Sequence, residues 1–161
     1  MENLIRIGIS EMQAAINPAS FVTFALGSCI GICLYDKTTK TGALGHIMLP
    51  EAPPNKPNLK IDCYADTCIP HMLETMKKLG SRKDNIVAKI AGGAKMFEVA
   101  DDSTFGAVGA RNIEAVKIVL RRYQIKIVAA DVGANYGRTV YFYTETGAML
   151  VQSFAKGNKT F

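Results

Sequence analysis

The chain has 161 residues, 48% of them hydrophobic and 20% charged, with a formal net charge of +5. A domain of that length buries roughly 70% of the surface its unfolded chain exposes, and the composition excludes a disordered or low-complexity protein. No apolar run approaches the ~20 residues a membrane helix needs.

The N-terminus, Met1-Glu2-Asn3-Leu4-Ile5-Arg6, lacks the basic segment and apolar core of a secretion signal. A single cytoplasmic domain over residues 1–161 is therefore expected. The basic residues are dispersed, apart from Lys77-Lys78 and Arg121-Arg122, which fall near expected helix C-termini, where a cation complements the dipole. Neither an aromatic nor a basic stripe points to nucleic acid.

In chain order, Leu4 to Ile9 alternates as a first strand, and Ser10 to Asn17 reads as a short helix or loop closed by Pro18. Phe21 to Ala25 is a second strand running into the Leu26-Gly27-Ser28 turn. Ile30 to Tyr35 and Gly42 to Leu49 follow as strands around the polar Asp36-Lys37-Thr38-Thr39. The proline-containing Glu51 to Asn58 is an extended loop, either a plain connector or a lid or docking loop.

From Tyr64 the period changes. Ala65, Cys68, Ile69, Met72, Leu73, Met76 and Leu79 recur at helical spacing before Gly80, with Pro70 confined to the first turns or kinking the helix. Ile86 to Ala91 is a buried strand ending in Gly92-Gly93. That pair lacks the order of a phosphate loop and reads as a tight turn.

Glu98 to Gly109 reads as irregular. Ile113, Val116, Val119, Leu120 and Tyr123 mark a second helix, with Asn112 as a candidate cap. Ile125 to Val132 is a strand, Thr139 to Thr144 and Ala148 to Phe154 form a last hairpin, and Lys156 to Phe161 is a polar, frayed tail. Strands outnumber helices and hairpins lie at both ends. The expected class is α+β, an α/β sandwich of mixed or antiparallel sheets with flanking helices, over a doubly wound parallel sheet.

Four cysteines stand at 29, 33, 63 and 68. A chain able to build a full core needs no disulfide staples, so reduced thiols are expected. Cys63, Cys68 and His71 have the donor types for zinc, but their C-x4-C-x2-H spacing lacks a second tight pair, so neither metal nor cofactor is expected.

Cys29 follows a glycine turn, and His46 lies seventeen residues on. If a four-residue loop from Asp36 to Thr39 joins their strands, Tyr35 pairs with Lys40 and Cys29 lies opposite His46, with Cβ atoms ~4.5–5.5 Å apart. A six-residue loop makes them diagonal neighbours on the same face at ~7–8 Å. A slip of one residue separates them onto opposite faces. A thiol near pKa ~8.5 needs a base to act at neutral pH. An imidazole in reach serves as base and later as acid, provided a third group fixes its tautomer. Thr23 is the nearest candidate, and backbone N–H groups of the Gly27-Ser28-Cys29 turn are candidate oxyanion donors. The plainer reading is a buried cysteine, a turn glycine and a satisfied core histidine, and the residues alone leave both open.

The ordered set Thr23…Leu26-Gly27-Ser28-Cys29, Gly45-His46-Ile47-Met48-Leu49-Pro50, Tyr64-Ala65-Asp66, Lys89 to Phe97, Gly109-Ala110-Arg111-Asn112 and Asp131-Val132-Gly133…Gly137-Arg138 resembles the chemoreceptor glutamine deamidase family, CheD. The resemblance spans most of the chain and implies a nucleophile at Cys29, a base at His46 and an orienting hydroxyl at Thr23. It implies an α/β sandwich similar to toxin-type cysteine deamidases. The implied activity is hydrolysis of glutamine side-chain amides on the cytoplasmic domains of bacterial chemoreceptors, with glutamate methyl esters as further substrates of some members. It also implies a regulatory partner, the phosphatase CheC. Two alternatives remain beside it: a module that regulates such a phosphatase with catalysis secondary, and a peptidase or other thiol hydrolase.

Overall fold

In the computed structural model, which describes residues 3–96 and 104–161, the chain crosses repeatedly between two five-stranded sheets. The first sheet has the order β1 (Leu4–Arg6), β3 (Ser20–Leu26), β8 (Arg138–Tyr143), β9 (Met149–Ser153), β10 (Gly157–Thr160). The second has the order β2 (Met12–Ile16), β5 (Thr41–Ile47), β4 (Ile30–Asp36), β6 (Ile86–Gly92), β7 (Lys126–Val132). Within each sheet one neighbouring pair is parallel, β1 with β3 and β6 with β7, and the others are antiparallel. Helices α1 (Ala65–Lys78) and α2 (Thr104–Arg122) pack against the second sheet. The expected layered α+β class is the one observed.

Alternation along the central strands builds two cores. Ile30, Ile32 and Leu34 of β4 and Ala43 and Ile47 of β5 face the helices, meeting Cys68, Met72, Met76, Val116 and Leu120. Cys33, Tyr35 and Leu44 face the other way and meet Phe21, Leu26, Val140, Phe142 and Met149 of the first sheet. Every residue of β4 and β5 is buried, as expected for strands covered on both faces.

Helix α1 stops where its sequence says. Gly80 has φ +104, Ser81 N–H donates to Met76 O, and Gly80 N–H donates to Lys77 O, the paired bonds of a Schellman cap. Lys77 and Lys78, like Arg121 and Arg122, occupy last turns. Pro70 is inside α1, as its sixth residue.

Four expectations need correction. Residues 12–16 form strand β2, not a helix, because pairing with the small residues Gly42, Ala43 and Gly45 of β5 outweighs a helix-tolerant composition. The tail is strand β10, paired with β9 from Gly157 opposite Ser153 to Thr160 opposite Leu150. The segment read as irregular from Glu98 to Gly109 is helical from Thr104 on, while 98–103, with Asp101 and Asp102, lies outside the described residues. Asn112 consequently lies mid-helix and caps nothing.

The fourth concerns register. Asp36 stays in β4, opposite Thr41, and Tyr35 faces Gly42 instead of Lys40. The loop does have four residues, but they are Lys37 to Lys40. The Asp36 carboxylate accepts from Thr38 N–H at 2.9 Å, so it initiates the turn from the last strand position. Moving the loop by one residue shifts every pair by two, and His46 faces Gly31. Continued past Ile30, this ladder makes Cys29 a diagonal neighbour of His46 on the same face.

Candidate functional site

Strand β3 belongs to the first sheet and β4 to the second, so residues 27–29 carry the chain between them. The crossing starts at an irregularity: the β3–β8 register shifts between Thr23 and Leu26, where Ala25 takes φ +60. The extra residue returns Leu26 to the core and aims Gly27 at the second sheet. Cys29 emerges at the rim of the inter-sheet space, half-buried, with Thr23 and His46 fully buried beside that space. Gly31 leaves room for them: a Cβ there would lie 3.1 Å from Leu26 Cδ1 and 3.7 Å from Thr23 Cγ2.

The hydrogen bonds define a proton arrangement. Thr23 Oγ1 lies 2.8 Å from the Ile7 carbonyl oxygen, which can only accept, so the hydroxyl proton is committed there. The 2.7 Å contact between Thr23 Oγ1 and His46 Nδ1 must then be donated by Nδ1–H. His46 is thus the Nδ1–H tautomer, and Nε2 keeps its lone pair. Nε2 is buried and makes no hydrogen bond among the described residues. Burial lowers the His46 pKa to about 4, so the ring is neutral at pH 7.

Burial raises the Cys29 thiol, the neighbouring Cys63 raises it further, and its own backbone N–H partly offsets both. The resting pair is therefore a thiol and a neutral imidazole rather than an ion pair.

Backbone from distant elements holds the cysteine turn. Gly93 N–H donates to Cys29 O at 2.9 Å and Ala94 N–H to Gly27 O at 2.8 Å. Gly92, at φ +116, admits this approach because a Cβ there would lie 2.1 Å from Cys29 O. Behind it, Gly133 N–H donates to Gly92 O and Lys95 N–H to Ala134 O, in a loop braced by Arg138 on Asp131. The Gly92-Gly93 turn thus supports the cysteine.

Asn112 closes the other side, its Nδ2 donating to Ser28 O and to Met48 O, both at 2.9 Å. Sequence reasoning missed this contact and the Ile7 carbonyl. The available signal was an asparagine four residues before Val116, on the buried stripe of an amphipathic helix.

The remaining thiols are free and buried, Cys33 between the sheets and Cys68 beneath α1. His71 Nδ1 bonds Asp62 at 2.8 Å, and among the described residues no group of three His, Cys, Asp or Glu is arranged to hold a metal ion. Among them too, no helix is long and apolar enough to cross a membrane. Met48, Leu49 and Met96 are exposed near the turn, Met96 touching the Cβ position of Gly27.

Residues 48–153 match the family model for CheD chemotactic sensory transduction. A protein of Syntrophomonas wolfei named as a probable chemoreceptor glutamine deamidase CheD is 42% identical over 99% of both chains. One of Clostridium novyi with the same name is 44% identical over 95% of this chain and 94% of its own. Among solved structures, the Neisseria meningitidis protein NMB0706, of family DUF152, shares the fold with a TM-score of 0.50 at 10% identity, over 83% of this chain and 64% of its own.

Proposed function

Because this chain belongs to the CheD family of chemoreceptor glutamine deamidases, we propose that it hydrolyses receptor glutamine side chains by a thioester route through Cys29, His46 and Thr23. The observation that carries this reading is the committed Thr23 proton, which leaves His46 Nε2 as a buried, unused base on the face shared with Cys29.

In the first half-reaction, Nε2 takes the thiol proton as Sγ attacks the glutamine Cδ. The C–N bond then breaks, and the imidazolium returns the proton to the departing ammonia. In the second, water gives a proton to Nε2 and attacks the thioester, releasing glutamate and restoring the thiol. The diagonal strand positions of Cys29 and His46 correspond to a spacing of ~7–8 Å, so proton transfer needs the two side chains to approach as substrate enters. A glutamate methyl ester would form the same acyl-enzyme, so methylesterase activity needs no second site. The Thr23 hydroxyl orients the ring without adding a negative charge, consistent with a base that stays neutral until proton transfer.

The exposed Met48, Leu49 and Met96 offer an apolar rim for a protein substrate, or for CheC as regulator. Incubation with a receptor cytoplasmic fragment should convert glutamine to glutamate, read by mass spectrometry. Cys29→Ala should abolish conversion while retaining CheC binding. Conversion undiminished in Cys29→Ala would sink the thioester route, and backbone cleavage in the same spectra would mark a peptidase.

A further inference from the structure

Three successive carbonyls in the cysteine turn are each tied to a donor from a distant element. Gly27 O accepts from Ala94 N–H, Cys29 O from Gly93 N–H, and Ser28 O from Asn112 Nδ2. The middle tie comes from a side chain. In a trans peptide the C=O and N–H point in opposite directions, so the bond that draws Ser28 O toward α2 turns Cys29 N–H away from it. Among the described residues no backbone carbonyl accepts from Cys29 N–H. The same N–H lowers the Cys29 thiol pKa that burial raises, the direction expected of a donor that favours negative charge at this turn.

Asn112 itself is poorly explained by helix formation. Asparagine is a weak helix former, this one is 0% exposed, and its Oδ1 is buried without a partner among the described residues. A shape-equivalent leucine would leave no such orphan. What the amide gains is a double donation, to the residue before Cys29 and to Met48, two positions beyond His46. One NH2 group therefore ties together the strand ends bearing the thiol and the imidazole.

We propose that Asn112 is a positioning residue for the deamidation, fixing the Ser28–Cys29 peptide so that Cys29 N–H faces the oxyanion formed when Sγ attacks the amide carbon. The inference rests on the thioester reading above. Asn112 touches no reacting atom; it acts through the peptide it holds. Its contribution is made in the transition state, when the carbonyl oxygen gains charge, and is absent from reactions of the thiol that build no oxyanion.

The test compares two reactions of one cysteine. In Asn112→Ala, kcat for receptor-fragment deamidation should fall roughly 10²–10³-fold with KM nearly unchanged, as for loss of an oxyanion donor. Alkylation of Cys29 by iodoacetamide, a displacement at saturated carbon, should stay within about threefold of wild type, because it needs the thiol but no oxyanion site. Asn112→Asp keeps the shape but replaces the donor with a carboxylate, and should behave the same way if the alanine variant does not fold. A kcat loss below about tenfold would overturn the inference. So would an alkylation rate that falls in parallel with kcat, which would reduce Asn112 to packing. A wild-type protein that leaves receptor glutamines intact overturns the deamidase reading and this inference with it. An active wild type matched by an equally active Asn112→Ala overturns the inference alone.

Discussion

The chain has two histidines, each near a cysteine, and the two neighbourhoods invite opposite conclusions from residue type and from structure. His71 has the richer set: its Nδ1 bonds the Asp62 carboxylate, and the same aspartate acts on the Cys68 thiol. Cysteine, histidine and aspartate together match the residue types of a nucleophile triad. Yet Cys68 is fully buried in the apolar layer between α1 and the second sheet, its thiol pushed well above its ordinary range by burial and then by Asp62. The aspartate works against this thiol. His46 has a threonine hydroxyl for its side-chain partner, but that hydroxyl leaves Nε2 unprotonated on the strand face shared with the half-exposed Cys29. Access and tautomer separate the two sites where residue types do not.

The largest expected effect contrasts the two thiols directly. Cys29→Ala should lower receptor deamidation by roughly 10⁵–10⁶-fold, the scale seen when a covalent nucleophile is removed. Cys68→Ala should leave kcat within about twofold and instead cost about 1 kcal/mol of stability for a small buried void. Paired measurements of deamidation by mass spectrometry and of denaturant midpoint check both. An inactive but stable Cys68→Ala would reverse the comparison.

Removing the orienting hydroxyl should matter less. Thr23→Val keeps the volume but deprives Nδ1–H of its acceptor and Ile7 O of its donor. The loss in kcat should be roughly 10–100-fold with little change in KM, because the ring loses orientation and tautomer definition but remains a base. Thr23→Ser, which restores the oxygen, should recover most of it. A Ser variant as impaired as the Val variant would assign Thr23 to packing.

Much of this site was legible before the fold, for identifiable reasons. Alternation along 30–35 and 42–49 marked the strands, and the Gly27 turn marked the exposed end, so Thr23, Cys29 and His46 were candidates on local grounds, but their roles came from the resemblance to CheD. The exact pairing was not legible, because it depends on whether Asp36 ends a strand or begins a loop, and an aspartate that initiates its turn from the strand looks the same in sequence either way. Strands β2 and β10 were invisible for a related reason. β2 acquires its strand from partners remote in sequence, Thr41 to Gly45, and the polar β10 from the neighbouring strand β9, Leu150 to Ser153. Asn112 was hidden because its function lies in two backbone carbonyls 84 and 64 residues away. Side-chain pattern carries information about burial, but almost none about which distant peptide a buried amide will hold.

A last effect reads the buried histidine without any substrate. His46 titrates near 6.5 in an unfolded chain and at about 4 when folded. Between those values the unfolded state binds a proton that the folded state refuses, so folding stability falls as pH drops through this window and is fully present above it. The integrated loss is on the order of 3 kcal/mol by pH 4, partly merged with carboxylate titration. His46→Gln cannot take up that proton, so its denaturant midpoint should vary less between pH 6.5 and 4 than that of wild type. The same displaced pKa should set the acid limb of kcat/KM near pH 4, well below the limb of a free imidazole. A limb near 6.5, or equal slopes for His46→Gln and wild type, would mean that the ring protonates readily in the folded protein. The neutral Nδ1–H tautomer would then no longer describe the resting site.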